Sequence, residues 1–155
     1  MADVLTKEQR RRNMQAIRAT HTSIEDKMST DLWRRGYRFR KNVSSMFGKP
    51  DIAIKKYKIV IFIDSCFWHG CKEHGNIPKT NESFWLQKLA RNSERDQEVT
   101  EYYQAGRWGI MRIWEHEIKQ DYHVTLEKVI KFIEYAKKIH AYKTNKARSN
   151  FNPPG

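Results

Sequence analysis

The stretch Lys58-Ile-Val-Ile-Phe-Ile-Asp64 limits what this chain can fold into more than any other. Ile59 to Ile63 is short, rich in β-branched residues and apolar at every position, which reads as a strand buried on both faces. The run stops abruptly at Asp64, so a carboxylate is expected where a buried strand opens to the surface. Just upstream, Asp51-Ile-Ala-Ile reads as a second strand, joined to the first by the basic turn Lys55-Lys56-Tyr57-Lys58. A hairpin of the two would bring the Asp51 and Asp64 ends together. Paired carboxylates on neighbouring strand ends point to a Mg²⁺ site suited to phosphodiester hydrolysis.

Charge supports that direction. The 155 residues carry 30 Lys+Arg against 18 Asp+Glu, a formal net charge of +12. Such a balance predicts a polyanionic partner, with nucleic acid the first choice and a merely basic soluble protein the plainer alternative. The length fits one domain with a real core. No apolar run is long enough to span a bilayer and the N-terminus lacks an apolar signal core, so a cytoplasmic, nucleoid-associated location is expected. There thiols stay reduced, and Cys66 and Cys71 read as metal ligands or free thiols rather than a disulfide.

Along the chain, residues 7–18 set Lys7, Arg10, Arg11, Arg12 and Arg18 around Met14 and Ile17, a helix whose basic face can lie on phosphates or simply in solvent. Ser23, with Asp26 three residues on, reads as the N-cap of a second helix ending at Gly36. Glu25 in its first turn has the ordinary explanation that acids favour helix N-termini. Tyr37 to Arg40 alternates as a first strand, and Gly48-Lys49-Pro50 fixes the entry into Asp51. A long helix over about 82–104 presents Trp85, Leu89, Asn92, Asp96, Val99 and Tyr103 inward. Two of those places are polar, and Asn92 and Asp96 need partners in a network, with Arg95 a candidate, or a role in catalysis. Trp108 to Trp114 is a further strand, and a last helix is expected over about 125–142. The order implies an α/β domain with a mixed central sheet flanked by helices. Residues 1–143 form the domain, with 1–20 as its DNA-contacting part, and 144–155 a basic, mobile tail ending Asn152-Pro-Pro-Gly155.

Two features carry further chemistry. The spacing Cys66-x4-Cys71-x2-His74, with His116 at the end of the next strand, can supply tetrahedral zinc, with His69 competing for a place. Free thiols are the alternative. Phe67 and Trp68 are either core anchors or wedges that part base pairs, and composition does not choose.

Asp64-Ser-Cys-Phe-Trp-His-Gly-Cys-Lys-Glu-His74 closely resembles the core motif of the very-short-patch-repair (Vsr) mismatch endonucleases. The likeness extends through Asn13-Met14, Glu25, Gly48-Lys49-Pro50-Asp51, Phe84-Trp85-Leu86-x-Lys88, Asn92-x-x-Arg95-Asp96 and Gly109-Ile-Met-Arg-Ile-Trp114-Glu115. The resemblance implies a restriction-endonuclease-like fold with a structural zinc site. It also implies a Mg²⁺-dependent nick 5′ of the thymine in a T·G mismatch, in repair of deaminated 5-methylcytosine. On that pattern Asp51 and the Ile63 carbonyl bind magnesium, His69 activates water or transfers a proton, and Glu25 orients it or holds metal-bound water. Phe67, Trp68 and Met14 are the wedge, while Arg11, Arg12, Lys88, Asn92 and Arg95 contact DNA. Cys66, Cys71, His74 and His116 hold zinc. The implied partners are mismatched duplex DNA and mismatch-repair proteins, with the chain a monomer. Family members carry His or Asp at the place of Asp64, leaving it as second metal ligand or part of proton transfer. His116 stands where others have Cys. The Glu-x-Lys pair of the wider nuclease superfamily is absent, with Ile63 and Ser65 there instead. Rival readings are a sequence-specific nicking or restriction enzyme on matched DNA, and a non-catalytic mismatch-binding module.

Overall fold

The computed structural model describes residues 5–150, and of residues 17–22 the backbone alone. Its frame is α1 (Lys7–Arg34), β1 (Arg40–Lys41), β2 (Ile52–Ile54), β3 (Ile59–Asp64), α2 (Glu82–Ala105), β4 (Gly109–Trp114), α3 (Glu115–Gln120) and α4 (Tyr122–Ser149). The four strands lie in the order β1-β2-β3-β4. The first two pairings are antiparallel and β3 pairs β4 in parallel, with α2 as the crossover.

Period-two alternation along β3 sorts the whole interior. Ile59, Ile61 and Ile63 join Met28 and Leu32 of α1, Ile118 of α3 and Leu126, Val129 and Ile133 of α4 on one face. Val60 and Phe62 join Ala53, Val99 and Tyr103 on the other, beneath α2. All six residues of β3 are buried, so the strand covered on both faces is as its sequence reads. By the same alternation Asp64 and, on β4, Arg112 fall on the α2 side.

Several boundaries differ from the sequence reading. The two N-terminal helices are one: Thr6 caps α1 in a reciprocal capping box with Gln9, and Ser23 lies inside the helix. Thr20, Thr22 and Ser23 are cap formers, but no Gly or Pro interrupts the stretch, and Met28 and Leu32 hold the C-terminal half in the core. The first strand is Arg40–Lys41, because Tyr37 and Phe39 instead pack on the core from outside the sheet. The short α3 was not foreseen, and α4, capped by Asp121, starts at Tyr122, three residues before the expected start. α4 continues to Ser149, so residues 144–149 of the expected tail are helical. The Ile17 and Arg18 side chains and the Asn152–Gly155 end lie outside the described residues. Among those described, no helix is long and apolar enough to cross a membrane.

Candidate active site and metal centre

The β2–β3 hairpin places Asp51 beside Ile63. Ile63 donates its backbone N–H to Asp51 Oδ2 at 2.7 Å. A strand residue points its N–H and C=O to the same side, so the Ile63 carbonyl faces the Asp51 side as well. The loop before Asp51 is pinned to α2: Tyr103 donates its hydroxyl to the Phe47 carbonyl at 2.6 Å. Gly48, at φ +74°, lies so close to α2 that a Cβ there would meet Val99 Cγ1 at 2.6 Å. Asp51 and Asp64 thus line one cleft of about 380 Å³. One carboxylate and one carbonyl are hard oxygen donors, a set that suits Mg²⁺ with its retained waters.

The far wall of that cleft is a continuous polar network. His69 Nδ1 is 2.5 Å from Asp96 Oδ2, and its Nε2 is 3.8 Å from Asp64 Oδ1. Arg112 Nη1 donates to both oxygens of Asp64, at 3.0 and 3.1 Å. Its Nη2 donates to the Asp96 carbonyl at 3.1 Å and its Nε to Thr100 Oγ1 at 3.0 Å. Burial pushes the Asp64 carboxyl above its ordinary range, although His69 and Arg112 pull it back. For His69 burial pulls the pKa down, but the Asp96 hydrogen bond and the charges of Asp64 and Asp96 outweigh it, leaving a net rise. An imidazole held between two carboxylates has a fixed ring and a proton to give.

Beyond Asp64 the chain turns into a compact cluster. Ligand atoms of Cys66, Cys71, His74 and His116 all lie within 4.8 Å of one another. His116 Nδ1 is 3.3 Å from Cys66 Sγ and 3.6 Å from Cys71 Sγ, and His74 Nδ1 is 3.9 Å from Cys71 Sγ. Metal bonds of ~2.3 Å to sulfur and ~2.1 Å to nitrogen, at tetrahedral angles, separate the two atoms by ~3.6 Å. The two His116 separations lie near that value and that of His74 exceeds it, so the cluster suits a tetrahedral thiophilic cation after a small contraction. Burial pushes the Cys66 thiol up to about 11, which a dication among these donors would reverse. Cys66 and Cys71 are not joined as a disulfide. Glu115 accepts the Cys66 amide at 2.9 Å and fixes the start of the loop against α3.

Comparison with known proteins gives the family. Residues 2–74 match the family model described as DNA mismatch endonuclease Vsr. The chain is 37% identical over 118 residues to the DNA mismatch endonuclease Vsr of Escherichia coli (strain K12), covering 74% of each. This chain belongs to the Vsr family. It is 44% identical over 117 residues to the type II nicking enzyme V.NaeI of Lentzea aerocolonigenes, across 72% of this chain and 70% of that protein. With the type II nicking enzyme V.NmeDIP of Neisseria meningitidis serogroup C it shares 39% over 129 residues, 82% and 87% of the two. As a Vsr-family protein it is a DNA endonuclease.

The remaining residues singled out in the Vsr-like sequence fall in three places. Trp68, Asn92 and Arg95 line the cleft with Asp51, Asp64 and His69, and Asn92 donates to the Trp68 carbonyl at 2.9 Å. Phe67 and Trp68 are half-buried in an aromatic group with Trp85, ring centroids 5.5 and 6.1 Å away, and Lys88 lies 5.1 Å over the Trp68 ring. Arg11 and Arg12 are exposed on α1 and Met14 is half-buried, while Glu25 is half-buried on α1 and is not among the residues lining the cleft. Two of the inward places on α2 are looser than expected: Trp85 and Leu89 are only half-buried, because α2 there overhangs the aromatic loop rather than the sheet. The polar seam residue Asp96 finds Arg112 and His69, not Arg95. Arg112 was missed, although a charge at the centre of the apolar run Ile110 to Trp114 was a visible signal that a buried partner must exist.

Proposed function

We propose that this Vsr-family chain is a Mg²⁺-dependent endonuclease that nicks one strand 5′ of the thymine in a T·G mismatch, in very short patch repair of deaminated 5-methylcytosine. The observation that carries the reading is the convergence of Asp51, Asp64 and the His69–Asp96 pair on one cleft. Asp51 and the Ile63 carbonyl would hold magnesium, which when bound stabilises charge on the phosphate and activates water. His69 holds the proton that is exchanged at the reacting oxygens through Nε2, and Asp96 fixes its ring through Nδ1. Glu25 would orient His69 or hold metal-bound water. Cys66, Cys71, His74 and His116 would hold a structural zinc, and that loop carries His69 between its first two ligands.

Recognition is assigned to the aromatic loop and the basic helix. Phe67 and Trp68, with Met14, would wedge beside the mismatch, where a poorly stacked T·G pair makes deformation easier than at a matched step. Arg11, Arg12, Lys88, Asn92 and Arg95 would contact DNA around it. The reading includes a restriction-endonuclease-like fold in a single domain over residues 1–143, action as a monomer on the chromosome, and cooperation with mismatch-repair proteins. A second reading is nicking of matched DNA at a specific sequence; two relatives are named as type II nicking enzymes.

A strand-resolved assay separates these. Labelled duplexes with T·G or matched T·A, in several flanking contexts, are incubated with Mg²⁺ and either the natural chain or Asp51→Ala. A nick beside the mismatched thymine alone, lost in Asp51→Ala with DNA binding retained, is the expected result. Cutting of matched duplex selects the second reading, and binding without a cut in every context leaves only a mismatch-binding module.

A further inference from the structure

We propose that Arg112 fills, with its own guanidinium, the place a second divalent cation would take at Asp64, so that this chain cuts with a single catalytic cation at Asp51. The inference rests on the Mg²⁺-dependent reading above. Two-metal nucleases set their ions ~3.5–4 Å apart, bridged by carboxylates. Here Asp64 already gives both oxygens to Arg112 Nη1 at 3.0 and 3.1 Å.

The guanidinium cannot readily step aside. Its other two nitrogens are bonded to the Asp96 carbonyl and to Thr100 Oγ1, and Thr100 in turn donates to that carbonyl at 2.9 Å. The guanidinium carbon rests 4.5 Å over the Phe62 ring. The Asp64 side chain is 7% exposed and that of Arg112 21%, so displacing the arm would strand buried polar groups. Register explains the fit: Arg112 pairs across the parallel ladder with Phe62, and the pleat aims it at the same face as Asp64, two residues on.

Charge in the cleft leads to the same count. Asp51, Asp64 and Asp96 face Lys49, Arg95 and Arg112 there, three acids against three fixed cations. Asp96 is committed to His69 and Asp64 to Arg112, and Asp51 accepts the Ile63 backbone amide. One dication at Asp51 already outweighs the single negative charge of an incoming phosphodiester. A second at Asp64 would stand against a guanidinium that already takes both oxygens of that carboxylate. Arg112 is thus a positioning residue that holds Asp64 as an acceptor facing His69 Nε2, 3.8 Å away.

The test counts ions rather than turnover. Mn²⁺ binding to the full chain is titrated by electron paramagnetic resonance in complex with already nicked T·G duplex, with Mg²⁺-dependent nicking followed in parallel. One Mn²⁺ is expected for the natural chain and for Asp64→Asn, and none for Asp51→Asn. Arg112→Met should gain a second Mn²⁺ that Asp64→Asn then removes, and its nicking should fall at least tenfold. Two ions in the natural chain, one of them lost in Asp64→Asn, overturns the proposal while leaving the nuclease reading standing. No bound ion and no Mg²⁺-dependent nicking overturns both. The counts for the natural chain and Asp64→Asn decide the matter even if Arg112→Met does not fold.

Discussion

Arg112 and Asp64 show how a single side chain can be both structural and chemical. Buried ions are tolerated when paired, and removing one partner leaves the other stranded. Arg112→Met is therefore expected to lower unfolding stability by about 3 kcal/mol, and Asp64→Asn in the same chain to restore most of it. Urea unfolding of the two single variants and the double variant measures the coupling; strictly additive losses would mean the pair does not act as a pair. The two members differ in how well the sequence disclosed them. Asp64 is legible because it ends an apolar run, and a carboxylate there needs a reason. Arg112 lies within a run of the same kind, but its partners come from β3 and α2, and only the parallel register brings them together. Asp96 is intermediate: its place on an apolar seam announced a partner without saying which.

At the scale of elements, the segments read best from sequence are those whose burial is uniform. β3 and the turn before it depend on local pattern, and the structure reproduces them nearly to the residue. The sequence divides α1 into two helices because Ser23, with Asp26 three residues on, offers an N-cap, a local preference overridden by packing of Met28 and Leu32. α3 is too short to show a period. The loop ahead of β2 is legible only through Gly48, whose positive φ and contact with Val99 admit no side chain. Gly48→Ala should cost about 1–2 kcal/mol in backbone strain, with more from the clash, and should reduce nicking by displacing Asp51. Thermal melts beside nicking rates check it; an unchanged rate in a destabilised protein would uncouple that loop from the site. The end of α1 is tied to α4 by Tyr37, which donates to Glu134 at 2.8 Å, and burial together with that bond pushes its pKa up to about 12. Below pH ~10 the phenol is protonated in both folded and unfolded chains and the stabilisation is complete. As pH climbs from there towards about 12, the unfolded chain releases the proton first and stability is lost. Tyr37→Phe should weaken this alkaline loss, seen as a smaller drop in urea midpoint between pH about 9 and about 11.

For the molecule as a whole, the Cys/His cluster and the cleft are two ends of one loop. Stripping the metal with a strong chelator should release about one zinc per chain and lower the melting temperature, and nicking assayed afterwards with fresh Mg²⁺ should be lost until zinc is returned as well. Nicking that survives complete zinc loss would separate the cluster from the position of His69. The fold class was legible because strands and helices alternate in a way that leaves few arrangements. The site as a constellation was less so, since it draws on β2, β3, the following loop, α2 and β4.

The continuity of α1 has a consequence for how partners would meet this protein. Its 28 residues form a rod ~42 Å long, anchored at one end by Met28 and Leu32 and carrying Arg11 and Arg12 near the other. A basic segment already wound into a helix has no chain entropy left to surrender on contact. Association through it would then display the strong salt dependence of phosphate neutralisation without the large negative heat-capacity change that accompanies a segment folding onto its target.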